Sequence, residues 1–386
     1  MVIINGFIHP VAGPDIPDGF VAWEGNRITA VGSMKEFSRD PDEEILDARG
    51  GHVTPGYIDA HCHLGLFGSA MNGGGEDVNE CTDPITPQLR ALDAIDPMDY
   101  SFVEAQAAGV TTVVTGPGST NPIAGQMVCV KTRGTVADQM VVRAPLAMKL
   151  ALGENPKRAY GHRRESPATR MATAALIREA LERARRYADK KDKGQDPDFD
   201  PKLEALVPVV RGELPVHIHA HRADDIATAL RITKEFNLKS VLVHASDGHL
   251  MPKEIAESGF PVITGPILTD RSKSELKYAN VYNPEELDRA GAKVAICTDH
   301  PEVPIQYLTL CAALAMRGGM TEWQALAAIT LFPAEILGID DRLGSLTVGK
   351  EADIVITPGR PLDVTVQPSA VILGGEQVMG REQVME

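Results

Sequence analysis

Short apolar runs, bounded by glycine, proline and polar residues, recur along the chain and predict its β-strands. In the middle of the chain these runs alternate with helical stretches, a pattern typical of βα units and a parallel sheet. Eight strands are predicted there, over residues 53–60, 110–115, 126–130, 145–151, 214–220, 240–245, 260–264 and 293–298. The predicted helices cover residues 97–108, 168–188, 222–236, 303–317 and 321–337. Together they favour an α/β fold of the (β/α)8 TIM-barrel type.

Both ends of the chain instead alternate short β-like runs with turn residues. Residues 1–52 and residues 344–386 each contain too few strands to close a β-core alone. We therefore predict that the two ends pair into one small β-sandwich domain, with the barrel of residues 53–343 inserted between them.

The amino-acid composition and net charge argue against some classes of function. The 386 residues are 43% hydrophobic and 24% charged, as in ordinary globular proteins, and carry a net charge of −15. This charge argues against a nucleic-acid partner, and no apolar run is long enough to span a membrane. Five scattered cysteines without a C-x-x-C pair favour reduced thiols and a cytoplasmic location. We expect a small-molecule substrate; the oligomeric state stays open, with a homo-oligomer as one alternative.

Residues 55–64 read Pro-Gly-Tyr-Ile-Asp-Ala-His-Cys-His-Leu and contain the clearest candidate for chemistry. Successive side chains of a strand point to opposite faces, so His61 and His63 lie on one side and Cys62 on the other. Two neutral imidazoles at a strand end are half of a site for a divalent transition ion. Packing histidines are the alternative, so the metal prediction depends on ligands at other strand ends.

Three later strands end in metal-binding side chains. They read Leu-Pro-Val-His-Ile-His-Ala-His at 214–221, Val-Leu-Val-His at 241–244 and Val-Ala-Ile-Cys-Thr-Asp at 294–299. The carboxyl ends of barrel strands meet at one rim, where active sites lie. We therefore predict a metal site there that includes His244 and Asp299. The alternative for Asp299 is a helix N-cap before the 304–317 helix.

The order of these residues resembles the amidohydrolase superfamily, and most closely its imidazolonepropionase-related metal-dependent hydrolases. The resemblance rests on Pro-Gly-x-Ile-Asp-x-His-x-His, a strand-borne Lys or Glu, a His on each of strands 5 and 6 and an Asp on strand 8. It extends to residues 2–6, 25–32 and 344–356, and so covers essentially the whole chain. It implies the barrel fold and metal-dependent hydrolysis but identifies no substrate.

The resemblance also assigns roles to histidines that the strand pattern alone leaves open. His217, His219 and His221 share one strand face, and the resemblance points to His219 as the strand-5 ligand. His221, one step nearer the barrel mouth, is then a candidate substrate contact. His217 is a deeper, hydrogen-bonded histidine, and His300, beside Asp299, is a second candidate substrate contact.

Many relatives use a carboxylate on the fourth strand to bridge two metals. The resemblance therefore implies either a carbamylated Lys149, which we favour slightly, or Glu154; a structural ion pair is the alternative for each. The ligands suit zinc, as one or two ions, although iron, manganese and nickel also fit. Near Glu154, Lys157, Arg158, Arg163 and Arg164 either bind a substrate carboxylate or are solvated surface charges.

The predicted function is that of a metal-dependent hydrolase acting on carbon–nitrogen bonds other than peptide bonds. The bond is amide-type, as in a cyclic amide, an N-acyl amino acid or a dipeptide, and Asp299 carries the proton from water to the leaving group. A mononuclear deaminase is one alternative, although the Glu expected three residues after His219 is replaced by Arg222. A non-catalytic homologue acting in assembly is another, but it has no physical need for converging ligands.

Overall fold

The computed structural model describes residues 1–39, 41, 43–68 and 75–380, and in it the chain forms two eight-stranded sheets. Residues 381–386 of the predicted terminal domain lie outside the described residues. The strands are β1 (Val2–Ile8), β2 (Ile16–Glu24), β3 (Arg27–Ser33), β4 (Ile45–Asp47), β5 (His52–Pro55), β6 (Tyr57–Cys62), β7 (Val110–Thr115), β8 (Ile123–Lys131), β9 (Val141–Ala151), β10 (Val216–Ala220), β11 (Ser240–His244), β12 (Val262–Thr264), β13 (Val294–Ile296), β14 (Ile354–Thr357), β15 (Ala370–Leu373) and β16 (Glu376–Gly380).

Most of the α-helices lie between the strands of the second sheet. They are α1 (Tyr100–Ala107), α2 (Ala137–Met140), α3 (Glu154–Gly161), α4 (Arg170–Asp192), α5 (Pro201–Val210), α6 (Ala223–Phe236), α7 (Pro252–Ser258), α8 (Asn283–Arg289), α9 (Leu308–Arg317), α10 (Glu322–Ala327) and α11 (Leu331–Leu337). None of these helices combines the length and apolar character that crossing a bilayer requires.

The two ends of the chain form one sheet, as predicted. Its strands run in the order β16, β15, β14, β5, β1, β2 and β3, and β4 pairs with β1 beside this path. The central pairing of β5 with β14 is antiparallel and joins the amino-terminal half to the carboxy-terminal half. Apolar side chains from both halves, including Ile3, Trp23, Ile354 and Ile372, form one buried cluster. Neither half could enclose this cluster alone.

The second sheet is a near-closed barrel, which confirms the predicted fold class. Its strands follow chain order from β6 to β13. The expectation of a wholly parallel sheet was wrong, because β8 runs antiparallel to both β7 and β9. Only residues 116–122 connect β7 to β8. A parallel crossover needs a dozen or more residues, so this connection can only make a hairpin-like return.

Several helix predictions also differ from the structure: the helix predicted over 303–317 begins only at Leu308, and α2, α3, α5, α7 and α8 were not predicted. The single helix predicted over 321–337 is two helices, α10 and α11, separated at residues 328–330. Thr330 interrupts the helical backbone, with φ −136° and ψ −82°. Helix α5 was not predicted; Asp200 caps it by accepting hydrogen bonds from the backbone N–H groups of Lys202 and Leu203.

The seam between the first and last barrel strands is held by a buried side chain. Asp59 on β6 accepts hydrogen bonds from the backbone N–H of Thr298 at 3.1 Å and from its hydroxyl at 2.5 Å. It also accepts one from the N–H of His61 at 3.1 Å. Beyond it, the N–H of His63 donates to the carbonyl of His300 at 2.9 Å. The segment after β13 is thereby fixed against the end of β6.

A buried ion network joins the barrel to the terminal sheet. The ammonium of Lys131, at the end of β8, lies 2.5 Å from Asp353 and 3.0 Å from Glu351. Arg342 lies 2.7 Å from the same Glu351. Burial alone would lower the pKa of Lys131, but the carboxylates of Asp353 and Glu351 raise it above its usual value. The lysine is therefore charged and neutralises two carboxylates that have little access to water.

Replacing Lys131 with methionine should strongly destabilise the protein. The substitution leaves two buried carboxylates without their cation, which typically costs about 3–5 kcal/mol of the free energy of unfolding. Arg133→Met is the matched control, because Arg133 pairs with Glu376 at an exposed site worth about 0–1 kcal/mol. Urea denaturation measures the free energy of unfolding of both variants. Equal stability of the two would contradict the role given to Lys131.

Candidate metal centre

The predicted ligands converge at one end of the barrel. His61 lies on β6, Lys149 on β9, His219 on β10 and His244 at the end of β11, while Asp299 follows β13. All are buried or nearly so. The convergence follows from topology, because these strands are parallel and end at the same rim.

Short distances link the residues of this cluster. The Nε2 atoms of His61 and His63 each lie 3.4 Å from Oδ1 of Asp299. Nζ of Lys149 lies 3.0 Å from Nε2 of His61. Two sets of three residues place potential ligand atoms within 4.8 Å of one another: His61, His244 and Asp299, and His219, His221 and His244. His244 belongs to both sets and lies between them.

Backbone carbonyls orient two of the imidazoles. Nδ1 of His63 lies 2.7 Å from the carbonyl oxygen of Gly116, and Nδ1 of His244 lies 2.7 Å from that of Gly265. A carbonyl can only accept, so Nδ1 carries the proton in both rings and Nε2 keeps its lone pair. Second partners of this kind are the usual way in which proteins prepare histidine to bind a metal.

Several buried nitrogen atoms in the cluster lack a hydrogen-bond partner. Both ring nitrogens of His219 are in this state, as is Nδ1 of His61. Buried polar atoms are normally paired, and those that are not indicate a missing group. A divalent transition ion satisfies imidazole lone pairs directly. The residues present therefore fit a metal ion.

The imidazoles are neutral, as metal binding requires. Burial lowers the pKa of His61, His219 and His221 well below its usual value, and that of His244 to about 4. Burial would raise the pKa of Asp299, but the imidazoles of His244, His61 and His63 outweigh it and hold this pKa well below its usual range. The cluster thus offers neutral nitrogens and one carboxylate.

The two candidates for a bridging carboxylate lie in different places. Lys149 is fully buried beside His61, and burial lowers its pKa to about 8. Glu154 begins α3, and its carboxylate accepts a hydrogen bond from the hydroxyl of Ser274 at 2.9 Å. Glu154 is in neither set of converging ligands. The structure thus brings Lys149, and not Glu154, to His61.

The remaining predicted histidines surround the cluster. His221 stacks on His244 with ring centroids 4.4 Å apart, so it is a candidate ligand as well as a candidate substrate contact. Nδ1 of His300 accepts a hydrogen bond from the N–H of Ile305, which leaves Nε2 for other contacts. His217 lies one layer deeper beside Lys149 in the sheet register; its Nδ1 has no hydrogen-bond partner, and the hydrogen-bonded role predicted for this residue stays a prediction.

Sequence reasoning missed two acidic residues. Asp59 was part of the quoted motif, but its role at the seam appears only when β6 and the segment after β13 meet. Burial raises its pKa to about 7. Glu275 was not considered; it is buried, and its Oε1 lies 3.8 Å from Nε2 of His221 without a hydrogen bond. No sequence pattern distinguishes Glu275 from other loop carboxylates.

Backbone strain occurs at two places where strands carrying candidate ligands end. His244, Ala245 and Asp299 have φ values of 72°, 44° and 55°, a region that non-glycine residues seldom occupy. Such conformations persist where surrounding contacts enforce them, and they are common at functional sites. Asp299 does not cap the following helix, since α9 begins only at Leu308 and Tyr307 occupies its N-cap position.

Comparisons with known proteins identify the family of this chain. The model of the Amidohydrolase family matches residues 52–378. The amidohydrolase tasK of Hapsidospora irregularis is 30% identical over 92% of this chain, which spans 39% of that protein's length. An imidazolonepropionase of Symbiobacterium thermophilum is 28% identical over 88% of this chain and 84% of its own length.

A solved structure gives the same result. The amidohydrolase from Thermotoga maritima MSB8 superimposes with a TM-score of 0.95 and 39% identity, covering 98% of this chain and all of the other. A solved structure of a prolidase, at 19% identity and a TM-score of 0.61, shares the fold. The resemblance predicted from the sequence is confirmed: the chain belongs to the amidohydrolase family, whose members are metal-dependent hydrolases.

Proposed function

We propose that this protein is a metal-dependent amidohydrolase that cleaves an amide-type carbon–nitrogen bond in a small molecule. The observation that carries the proposal is His219, a buried imidazole with neither nitrogen paired, in a cluster that includes His61, His244 and Asp299. Family membership supports hydrolysis, and the amide bond is our extension of it. The substrates we favour are cyclic amides, N-acyl amino acids and dipeptides.

In the proposed site, His61, His63, His219, His244 and Asp299 hold one or two divalent ions, with zinc as the metal that suits these ligands best. A bound divalent ion supplies Lewis acidity and makes water acidic enough to ionise near neutral pH. For two ions, Lys149 would supply the bridging group as its carbamate. Carbamylation needs a neutral amine, and burial, which lowers the pKa of Lys149 to about 8, increases the fraction of that form at neutral pH.

The proton is carried by Asp299. Its low pKa keeps it ionised, so it can accept a proton from the attacking water and then deliver it to the leaving nitrogen. Its strained backbone and the N–H contact of Asp299 with the carbonyl of His61 at 3.2 Å fix the carboxylate beside the two imidazoles. His221 and His300 would then orient the substrate at the mouth.

The deaminase alternative requires a glutamate three residues after His219, and this chain has none at that position. Arg222 occupies the position of the expected glutamate, and its guanidinium pairs with Asp224 at 2.8 Å on the outer side of α6. It offers no acid to protonate a ring nitrogen. We therefore favour amide hydrolysis.

The first test is metal content. Protein expressed with added zinc should contain about one or two equivalents, the number that a mononuclear or binuclear site holds. His219→Ala should lose most of this metal, because it removes a central ligand. His249→Ala is the control, since the His249 ring lies in a loop where Asn280 donates to it. Elemental analysis decides, and wild-type protein without transition metal would refute the proposed site.

The second test concerns Lys149. Metal-loaded protein equilibrated with ¹³C-bicarbonate should show a carbamate signal in its ¹³C NMR spectrum, and Lys149→Met should lack it because the reactive amine is gone. Glu154→Gln should keep both the signal and the metal, since its carboxylate contacts Ser274 instead. If Glu154→Gln loses metal while wild-type protein shows no carbamate, Glu154 is the bridging residue and our assignment is wrong.

The third test is the proton carrier. Asp299→Asn preserves the shape of the side chain but cannot accept a proton, so turnover of the best amide substrate should fall by about 10²–10⁴. Metal content should be measured on the same samples to separate lost ligation from lost proton transfer. Asp18→Asn, at an exposed position of strand β2, serves as the control. Near-normal turnover by metal-loaded Asp299→Asn would eliminate this role.

A further inference from the structure

The loop after β12 contacts Glu154, which follows β9, and approaches His221, which follows β10. Its short 3₁₀ helix spans Ser274–Leu276. The hydroxyl of Ser274 donates to Glu154 at 2.9 Å, and Oε2 of Glu275 accepts from the N–H of Glu154 at 3.1 Å. Oε1 of Glu275 faces His221 at 3.8 Å. The preceding residue, Lys273, is therefore held at the rim near the imidazole cluster.

The ammonium group of Lys273 reaches the next loop of the rim. Its Nζ lies 4.0 Å from Oε1 of Glu302, and the N–H of Glu302 donates to the carbonyl of Asp299 at 2.9 Å. Among the residues that the structure describes, Glu302 is its closest ion-pair partner, and 4.0 Å is too long for a hydrogen bond. The Lys273 side chain is 28% exposed, so solvent or a ligand can reach it.

Lys149 is fully buried within the cluster, and the other basic candidates are either paired or exposed at the surface. Arg170 pairs with Asp225, and Arg271 donates to two backbone carbonyls of its own loop. The four basic residues considered as carboxylate ligands in the sequence are all exposed on or just after α3: Lys157, Arg158, Arg163 and Arg164. Arg163 donates to the carbonyl of Cys81. Within the described part of the chain, Lys273 is the better placed cation for a ligand at the metal site.

We propose that Lys273 binds a carboxylate of the substrate, and hence that the substrate is an anionic amide such as an N-acyl amino acid. This inference rests on the proposed function of the same site. A protein with net charge −15 repels anions at long range, so an anionic substrate needs a local cation at the mouth. Lysine suits this task, because its ammonium is a compact charge on a flexible stem.

The experiment compares Lys273→Met with wild-type protein on matched pairs of N-acetyl amino acids and their carboxamides. Wild-type protein should prefer the carboxylate, and Lys273→Met should lose this preference by about 10- to 100-fold in kcat/KM, the size of a lost charged hydrogen bond. The loss should lie mainly in KM, and Lys273→Arg should restore part of it. Lys277→Met is the control, because its ammonium lies 5.0 Å over the Tyr278 ring in the same loop.

Binding measurements separate this inference from the proposed function. If no amide in the set is hydrolysed, amide hydrolysis fails, but calorimetric binding of N-acetylglycine and N-acetylglycinamide to zinc-loaded protein still tests Lys273. Selective weakening of N-acetylglycine binding in Lys273→Met supports the inference. Equal weakening of both ligands with a lower melting temperature identifies a structural counter-ion for Glu275 or Glu302 and overturns it, as does no change at all.

Discussion

A buried carboxylate at the seam of the barrel helps to determine where the candidate metal ligands lie. Asp59 holds Thr298 through two hydrogen bonds and the N–H of His61 through a third. In the described part of the chain, β6 and β13 are not joined by a regular ladder of backbone hydrogen bonds. The hydrogen bonds of Asp59 hold these two edges of the barrel together instead. Because they tie the chain on both sides of the seam, His61 and Asp299 meet although they are 238 residues apart in sequence.

The cluster depends on this seam and also on backbone carbonyls, which orient two of its imidazoles. The carbonyls of Gly116 and Gly265 hold His63 and His244 from outside the cluster. Gly265 has a φ of 142°, and a Cβ there would lie 2.3 Å from the carbonyl oxygen of Cys297, so a side chain could not replace it without moving the backbone. The protein thus prepares its ligands through parts of the chain that carry no functional side chain.

The sequence predicted the barrel and the convergence of the candidate ligands because both follow from short-range patterns. Apolar strands ending in His61, His244 and Asp299 require only that parallel strands share a rim. The role of Asp59 and the position of Glu275 depend on contacts between distant segments, which no local pattern encodes. The antiparallel direction of β8, by contrast, follows from a local feature. The seven-residue link before this strand is too short for a parallel crossover, so that error could have been avoided.

The reversed strand β8 also affects how the mouth can vary. Residues 116–122 join two neighbouring strands that pair with each other, so both ends of this connection are anchored in one hairpin. The connections after β9, β10 and β12 lead instead into helices. Added residues can be accommodated in those connections, whereas the length of the 116–122 connection beside His63 is limited by the hairpin that anchors both of its ends. A change of substrate size would therefore be engineered more readily on the side of Lys273 than on the side of Gly116.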